Sequence, residues 1–209
     1  MQTLKIEDIE KKINKKIRQN AVSIGFDVSE AYTGVCILRT DKEYIYIENL
    51  SVIETSSKDD IKNRMKYFVG AIGKFKQGLN YKEYKIIVVE DSWMGKNVFT
   101  LKNLIRFSTL LWMLFYNECD YFYFLLPTSA RSQIGFNKNK QIVVGNVSSG
   151  VYTRDTKNKQ GKILHKKGEK KKIDIKLLIM DYLKQEFKVE IENSDKADAF
   201  VLALAGLAS

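Results

Sequence analysis

Residues Lys85–Glu90 read Lys-Ile-Ile-Val-Val-Glu, a short unbroken apolar run of the kind that forms a central strand covered on both faces. The run lies between two stretches of helical periodicity. A lysine-rich helix is expected from about Lys58 to Phe75, with Met65, Phe68, Val69 and Ile72 facing inward. A second is expected from Lys96 to Tyr116, with Leu101, Leu104, Ile105, Leu111 and Leu114 forming a wide apolar stripe. A strand that needs cover on two sides, set between two amphipathic helices, points to a layered α/β architecture.

The remaining segments extend this pattern. Ala21–Val28 (AVSIGFDV) reads as a buried strand carrying Asp27 at its end, followed by a turn at Ser29–Ala31. Thr33–Thr40 and Glu43–Ile53 read as two further strands, the second alternating from Tyr44 to Leu50. Three strands joined by short turns suggest an antiparallel meander. Tyr121–Leu126 is another buried strand, stopped by Pro127, the only proline. Two final helices are expected over Ile173–Phe187 and Asp195–Ala208, the last rich in small residues. The order is βββ-α-β-α-β followed by helices, an α/β fold with a mixed five-stranded sheet whose first three strands are antiparallel. Ahead of it, residues 1–20 are expected to form a separate basic amphipathic helix, with Leu4, Ile6, Ile9, Ile13 and Ile17 among lysines.

Charge narrows the range of partners. The 209 residues hold 35 Lys or Arg against 25 Asp or Glu, a net charge of +10, which favours a polyanionic partner. Asn137–Lys172 contains 11 Lys or Arg and 2 Asp or Glu, a surplus of nine that is nearly the whole net charge. With Gly145, Gly150, Gly161 and Gly168 and little periodic hydrophobicity, this stretch reads as an inserted loop or hairpin. It is either a solvated charged loop or a phosphate-binding arm. The two cysteines, Cys36 and Cys119, lie far apart without a CxxC, and His165 is the only histidine. Disulfide frameworks, most zinc sites and most histidine-based catalysis are thereby excluded. The N-terminus shows no apolar leader, and charges interrupt the apolar stretches before the roughly 20 residues needed to span a bilayer. The expected location is cytoplasmic or nucleoid-associated, or the host cytoplasm for a viral protein.

Four acidic residues stand in unusual surroundings. Asp27 follows Ile24-Gly25-Phe26, and Glu90 follows Ile86 to Val89, positions where a charge is costly unless paired or metal-bound. Asp195 and Asp198 are three apart at the start of the last helix and so share a face. Each has a plainer explanation: a strand-end turn residue for Asp27 or Glu90, an N-cap and its capping-box partner for the other two. Together, two strand tips and a D-x-x-D helix start could converge on one point suited to Mg²⁺, with no soft ligands competing. Two Mg²⁺ ions about 3.5–4 Å apart can drive phosphodiester hydrolysis without a histidine.

At these residues the chain resembles the RuvC-like Holliday junction resolvases of the RNase H-like superfamily, especially divergent phage and bacterial members. The family's opening strand, I-G-x-D followed by a small-residue turn and T-G, reads IGFDVSEAYTG here. Its hydrophobic strand ending in Glu, with an aromatic three positions on and a short K-N, reads VVEDSWMGKN. Its closing D-x-x-D-A helix reads DKADAFVLALAGL, and a P-x-x-x-R-x-x-x-G segment reads PTSARSQIG. The resemblance spans Ser23 to Leu207 and implies an RNase H-like fold. It implies Asp27, Glu90, Asp195 and Asp198 as the catalytic set, binding two Mg²⁺ ions with Mn²⁺ able to substitute. It further implies Trp93 as an aromatic against bases at the branch point, the alternative being an ordinary core tryptophan. Lys96, Asn97, Lys102, Arg106 and Arg131 would be DNA contacts, joined by Lys166, Lys167, Lys170 and Lys171 of the insertion. A homodimer acting on four-way DNA is implied as well, the helix after Glu90, with Phe107, Leu111 and Phe115 in its stripe, serving as the natural dimer surface. The N-terminal helix and the length of the basic insertion depart from the family pattern. Asp91 should face away from Glu90 on the strand and is not expected to be a ligand.

Three other readings compete. A transposase-like or RNA-processing nuclease would keep the four carboxylates without two-fold symmetry. An actin-like or sugar-kinase ATPase also begins strand–Asp–turn–strand, but needs glycine-rich phosphate loops that the sequence lacks. A non-catalytic junction-binding protein would need only the basic arm, and would leave the buried carboxylates without a use.

Overall fold

The computed structural model describes residues 2–56, 58–77, 79, 83–91, 98–137, 156–157, 163–165 and 174–208. Strand β1 (Gln2–Lys5) leads into helix α1 (Ile6–Ile13), then strands β2 (Ala21–Asp27), β3 (Tyr32–Thr40) and β4 (Tyr44–Glu54). Helix α2 (Ile61–Gln77), strand β5 (Tyr84–Glu90), helix α3 (Val98–Phe115), strand β6 (Tyr121–Leu125) and helix α4 (Pro127–Gln133) follow. A two-stranded ribbon, β7 (Thr156–Lys157) with β8 (Ile163–His165), precedes helix α5 (Ile175–Tyr182), a π-helical turn (Leu183–Phe187) and helix α6 (Ser194–Leu207).

The expected meander is present: β2, β3 and β4 pair antiparallel, and β5 and β6 add in parallel on the other side of β2. The sheet has six strands rather than five, in the order β1-β4-β3-β2-β5-β6. The sixth is β1, which pairs antiparallel with β4 and gives that strand's outer edge a partner. The N-terminal segment therefore differs from a separate helix over residues 1–20. Its helix is confined to Ile6–Ile13 and ends at Asn14 in the left-handed conformation, φ 53°. Leu4, Ile6, Ile9, Ile13 and Ile17 are all buried in the main core, and the Arg18 amide donates to the Leu207 carbonyl at the end of α6. The reason is the apolar face itself: five large side chains facing one way are stabilised by docking onto the sheet layer rather than standing clear of it.

Strand alternation sorts the interior into two layers. Val22, Ile24, Phe26, Ile87 and Val89 face α2 and α3, meeting Phe68, Ile72, Leu104, Phe107, Leu111 and Phe115. Ile86 and Val88 face the opposite side, where α5, the π-helical turn and α6 supply Ile179, Leu183, Phe200, Val201 and Leu204. The stripe of Phe107, Leu111 and Phe115 is thus core, not a dimer surface, because these residues cover β2 and β5. The outward face of α3 carries other apolar residues, with Phe99 81% and Met113 66% exposed. Helix α3 is, among the described residues, the one helix whose length and composition would also suit a membrane span. It nevertheless carries Lys102 and Arg106 and gives its other face to the core.

Helix α6 lies unusually close to the sheet, and its composition explains why. A Cβ on Gly25 would stand 2.1 Å from the Ala199 carbonyl oxygen and 2.5 Å from the Ala203 nitrogen. One on Gly34 would stand 2.0 Å from the Asp195 carbonyl oxygen. Two glycines in the strands opposite alanines in the helix let backbone meet backbone at the end of the sheet where Asp27 lies.

A candidate acidic site at the strand ends

The parallel register of β2 and β5 runs to Phe26 opposite Val89, which leaves Asp27 and Glu90 next in line at the carboxyl ends. Both share strand parity with Gly25 and Val88, so they lie on the α6 side of the sheet. Asp27 is also the register partner of Gly34, the residue beneath the Asp195 carbonyl. Acids distant in sequence are therefore brought to one end of the fold: two by strands, two by the first turns of α6. Asp27 is 7% exposed and Asp198 6% exposed, whereas Glu90 and Asp195 are partly exposed.

Asn193, not Asp195, caps α6: its side chain accepts hydrogen bonds from the amides of Asp195 and Lys196 at 2.8 and 3.1 Å. The capping-box explanation for Asp195 and Asp198 does not apply, and their carboxylates are free for other partners. Arg131 of α4 places Nη2 2.9 Å from Asp198 Oδ1. Lys176, in the first turn of α5, places Nζ 3.0 Å from Asp195 Oδ1 and 3.9 Å from Asp198 Oδ2. The Asp27 and Glu90 carboxyls are close enough to interact, and two carboxyl groups can hydrogen-bond to each other only when one holds a proton. Burial raises the Asp27 carboxyl above its ordinary range, reinforced by that bond and by the charges of Glu90 and Asp198, to about 10. Burial also raises Asp198, against the opposing pull of Arg131 and Lys176. For Lys176, burial acts downward, yet the bond to Asp195 and the negative charges of Asp27, Asp195 and Asp198 leave its ammonium above the usual lysine value.

The donor set is all oxygen, as Mg²⁺ or Mn²⁺ prefers, and a proton-sharing acid pair is what a divalent cation can displace. Among the described residues, no group of three or more acidic, histidine or cysteine side chains is placed to hold a metal ion as the side chains stand. The fit is therefore one of chemistry and location, with Asp195 and Asp198 turned toward Lys176 and Arg131.

Of the other expected site residues, Lys102 and Arg106 are exposed on α3, and Arg106 Nη1 donates to Asn103 Oδ1 at 3.1 Å. Arg131, expected as a phosphate contact, pairs with Asp198. Trp93, Lys96, Asn97, Lys166, Lys167, Lys170 and Lys171 lie outside the described residues. Asp91 is exposed, and its amide donates to the Leu125 carbonyl. Both cysteines are free, Cys36 buried and Cys119 half-buried. Sequence reasoning missed Lys176 and Asn193. The asparagine was findable as an N-cap type two residues before the D-x-x-D, whereas Lys176 has no local mark beside neighbouring lysines.

No family model matches the chain, and no curated protein matches it in sequence. Solved structures do. The chain is similar to T. thermophilus RuvC in complex with a Holliday junction substrate, with TM-score 0.56, 12% identity, and 88% of this chain covering 91% of that one. It is similar also to the yeast mitochondrial Holliday junction resolvase Ydc2, with TM-score 0.52, 13% identity, and 95% of this chain covering 84% of that one. At such identities the likeness speaks for architecture, and it agrees with the strand order, the parallel β2–β5 pair and the closing helix described above. The chain has the RNase H-like fold in the form shared by the RuvC-type resolvases.

Proposed function

We propose that the protein is a structure-selective DNA endonuclease that hydrolyses phosphodiesters in four-way or other branched DNA. The observation that carries this reading is the meeting of Asp27, Glu90, Asp195 and Asp198 at one end of the sheet. The two structural neighbours, a RuvC bound to a Holliday junction and a mitochondrial junction resolvase, support branched DNA as the substrate class. The four carboxylates would hold Mg²⁺ or Mn²⁺, two ions in the fullest arrangement. Bound there, divalent ions supply an activated water and neutralise charge on the phosphate and the leaving oxygen.

The chain's own groups have defined tasks in this scheme. Asp27 would release its proton to solvent, so that it and Glu90 could both hold the ion as carboxylates. Arg131 keeps Asp198 oriented from Oδ1. The surplus of positive charge in Asn137–Lys172 gathers the polyanion and makes affinity fall steeply with salt. Lys102 and Arg106, exposed on α3, are suited to phosphate contact. A homodimer would place two such sites on one junction, and the exposed apolar face of α3, with Phe99, Ile105, Trp112, Met113 and Tyr116, supports that assembly.

The test is cleavage of labelled four-way, flap, linear duplex and RNA–DNA hybrid substrates with Mg²⁺, Mn²⁺ or EDTA. Metal-dependent cutting of the four-way substrate, lost in Asp27→Asn with binding retained, is the expected result. Preferential cutting of the hybrid would favour an RNA-processing enzyme on the same fold. Full nicking by Asp27→Asn would refute the acidic site.

A further inference from the structure

Lys176 is a basic residue at the acidic site that the carboxylate constellation does not itself require. Its backbone is fixed, the amide donating to Asp174 Oδ1 at 2.9 Å in the cap of α5. Its side chain reaches across to the start of α6 and bridges two acids, Asp195 Oδ1 at 3.0 Å and Asp198 Oδ2 at 3.9 Å, with Ser194 Oγ at 3.4 Å. An exposed lysine pairing with one acid contributes little and needs no explanation. Here the ammonium, on a side chain that is 48% exposed, sits among oxygens from two carboxylates one helical turn apart and also feels the charge of Asp27. That is the position and the sign of charge that a divalent ion at these residues would have.

We propose that Lys176 is a built-in counter-cation that holds the place of a divalent ion between Asp195 and Asp198 and competes with the ion for them. The proposal rests on the reading of the acidic set as a metal site and adds its regulation. The two cations around Asp198 are not equivalent. Arg131 engages Oδ1 directly at 2.9 Å, while Lys176 stands 3.9 Å from Oδ2 on a flexible four-carbon stem. Arg131 can therefore stay while Lys176 is displaced, which opens Oδ2 of Asp198 and Oδ1 of Asp195 together. Without an ion, Lys176 keeps the acids from repelling one another; with an ion, it swings out as a free ammonium at the rim, where a DNA phosphate is its natural partner. Ion loading and phosphate binding are thereby coupled, because a phosphate that captures Lys176 also removes the ion's competitor.

The experiment is Mn²⁺ binding to the full-length protein without DNA, followed by the electron paramagnetic resonance of free Mn²⁺, for wild type, K176M, K176Q and K176R. K176M and K176Q should bind Mn²⁺ at least about tenfold more tightly than wild type, and K176R should not. Thermal melts supply a second readout: K176M and K176Q should melt lower in EDTA and gain more on adding Mn²⁺. A lysine with a merely structural role would lower the melting point without tightening Mn²⁺. Wild-type binding that K176M and K176Q leave unchanged or weaken overturns the competition while sparing the metal site. Absence of Mn²⁺ binding in all four proteins overturns the metal site and the competition with it.

Discussion

Asp27 and Glu90, 63 positions apart in the chain, stand side by side at the tips of adjacent parallel strands. A proton on Asp27 lets the ion-free protein tolerate a buried carboxyl beside a second acid. Asp27, raised to about 10 by burial and by Glu90, binds its proton in the folded protein across a range where the unfolded chain has released it. More protons are then bound folded than unfolded between about pH 4 and pH 10, so this group makes stability fall as pH rises through that window. The slope approaches at most about 1.4 kcal/mol per pH unit, the limit for one proton. Asp27→Asn should flatten the urea-denaturation profile against pH in EDTA and raise stability at neutral pH. Saturating Mn²⁺ should stabilise wild type and do little for the variant. A wild-type profile as flat as the variant's would show that the pair is not protonated.

Arg131 and Asp198 form the most enclosed ion pair at the site. Removing the guanidinium leaves Asp198 buried with only the more distant Lys176 for company. Arg131→Met should destabilise the ion-free protein by about 3 kcal/mol, near the lower end for breaking a buried pair. Adding Asp198→Asn should recover most of that loss. Additive effects of the two substitutions in a double-mutant cycle would show that the pair is not coupled.

The α6–sheet seam is testable by single atoms. Gly25→Ala and Gly34→Ala each place a methyl against backbone at 2.1 and 2.0 Å, where no side-chain rotation relieves the clash. Each should cost at least the roughly 1–3 kcal/mol of overpacking. Gly70→Ala, which meets nothing within 4 Å in α2, should be neutral or slightly stabilising. Comparable melting points for all three variants would mean that the helix rides higher than described.

The exposed face of α3 gives a test of assembly. Met113→Glu, alone or with Phe99→Glu, alters residues that make no core contact and so should leave the fold intact while shifting mass in light scattering from dimer to monomer. A dimer that persists in the double variant would place the interface elsewhere.

The sequence exposed the strand-tip acids because each ends an apolar run where a charge has no local reason to be. The D-x-x-D start of α6 was legible for the same kind of reason: two acids on one face of a helix that is otherwise mostly apolar and rich in small residues. Lys176 was not legible, since its role comes from a contact across 19 positions and its neighbourhood is full of lysines. Strand β1 was hidden because only Leu4 of its four residues is buried, too little to display an alternation. In α3 the periodicity was clear but its phase was not. Leu104, Phe107 and Leu111 face the core while Ile105 is exposed, a choice that only the sheet beneath can make.

Where α6 crosses β2 and β3, nothing but main chain separates helix from sheet. The gap between the strand-borne and helix-borne acids is consequently set by the thickness of two peptide backbones, a dimension that rotamer hopping cannot tune. Whatever adaptation the site undergoes during turnover must therefore come from the acid side chains and from Lys176 and Arg131, while the frame carrying them keeps a fixed calibre.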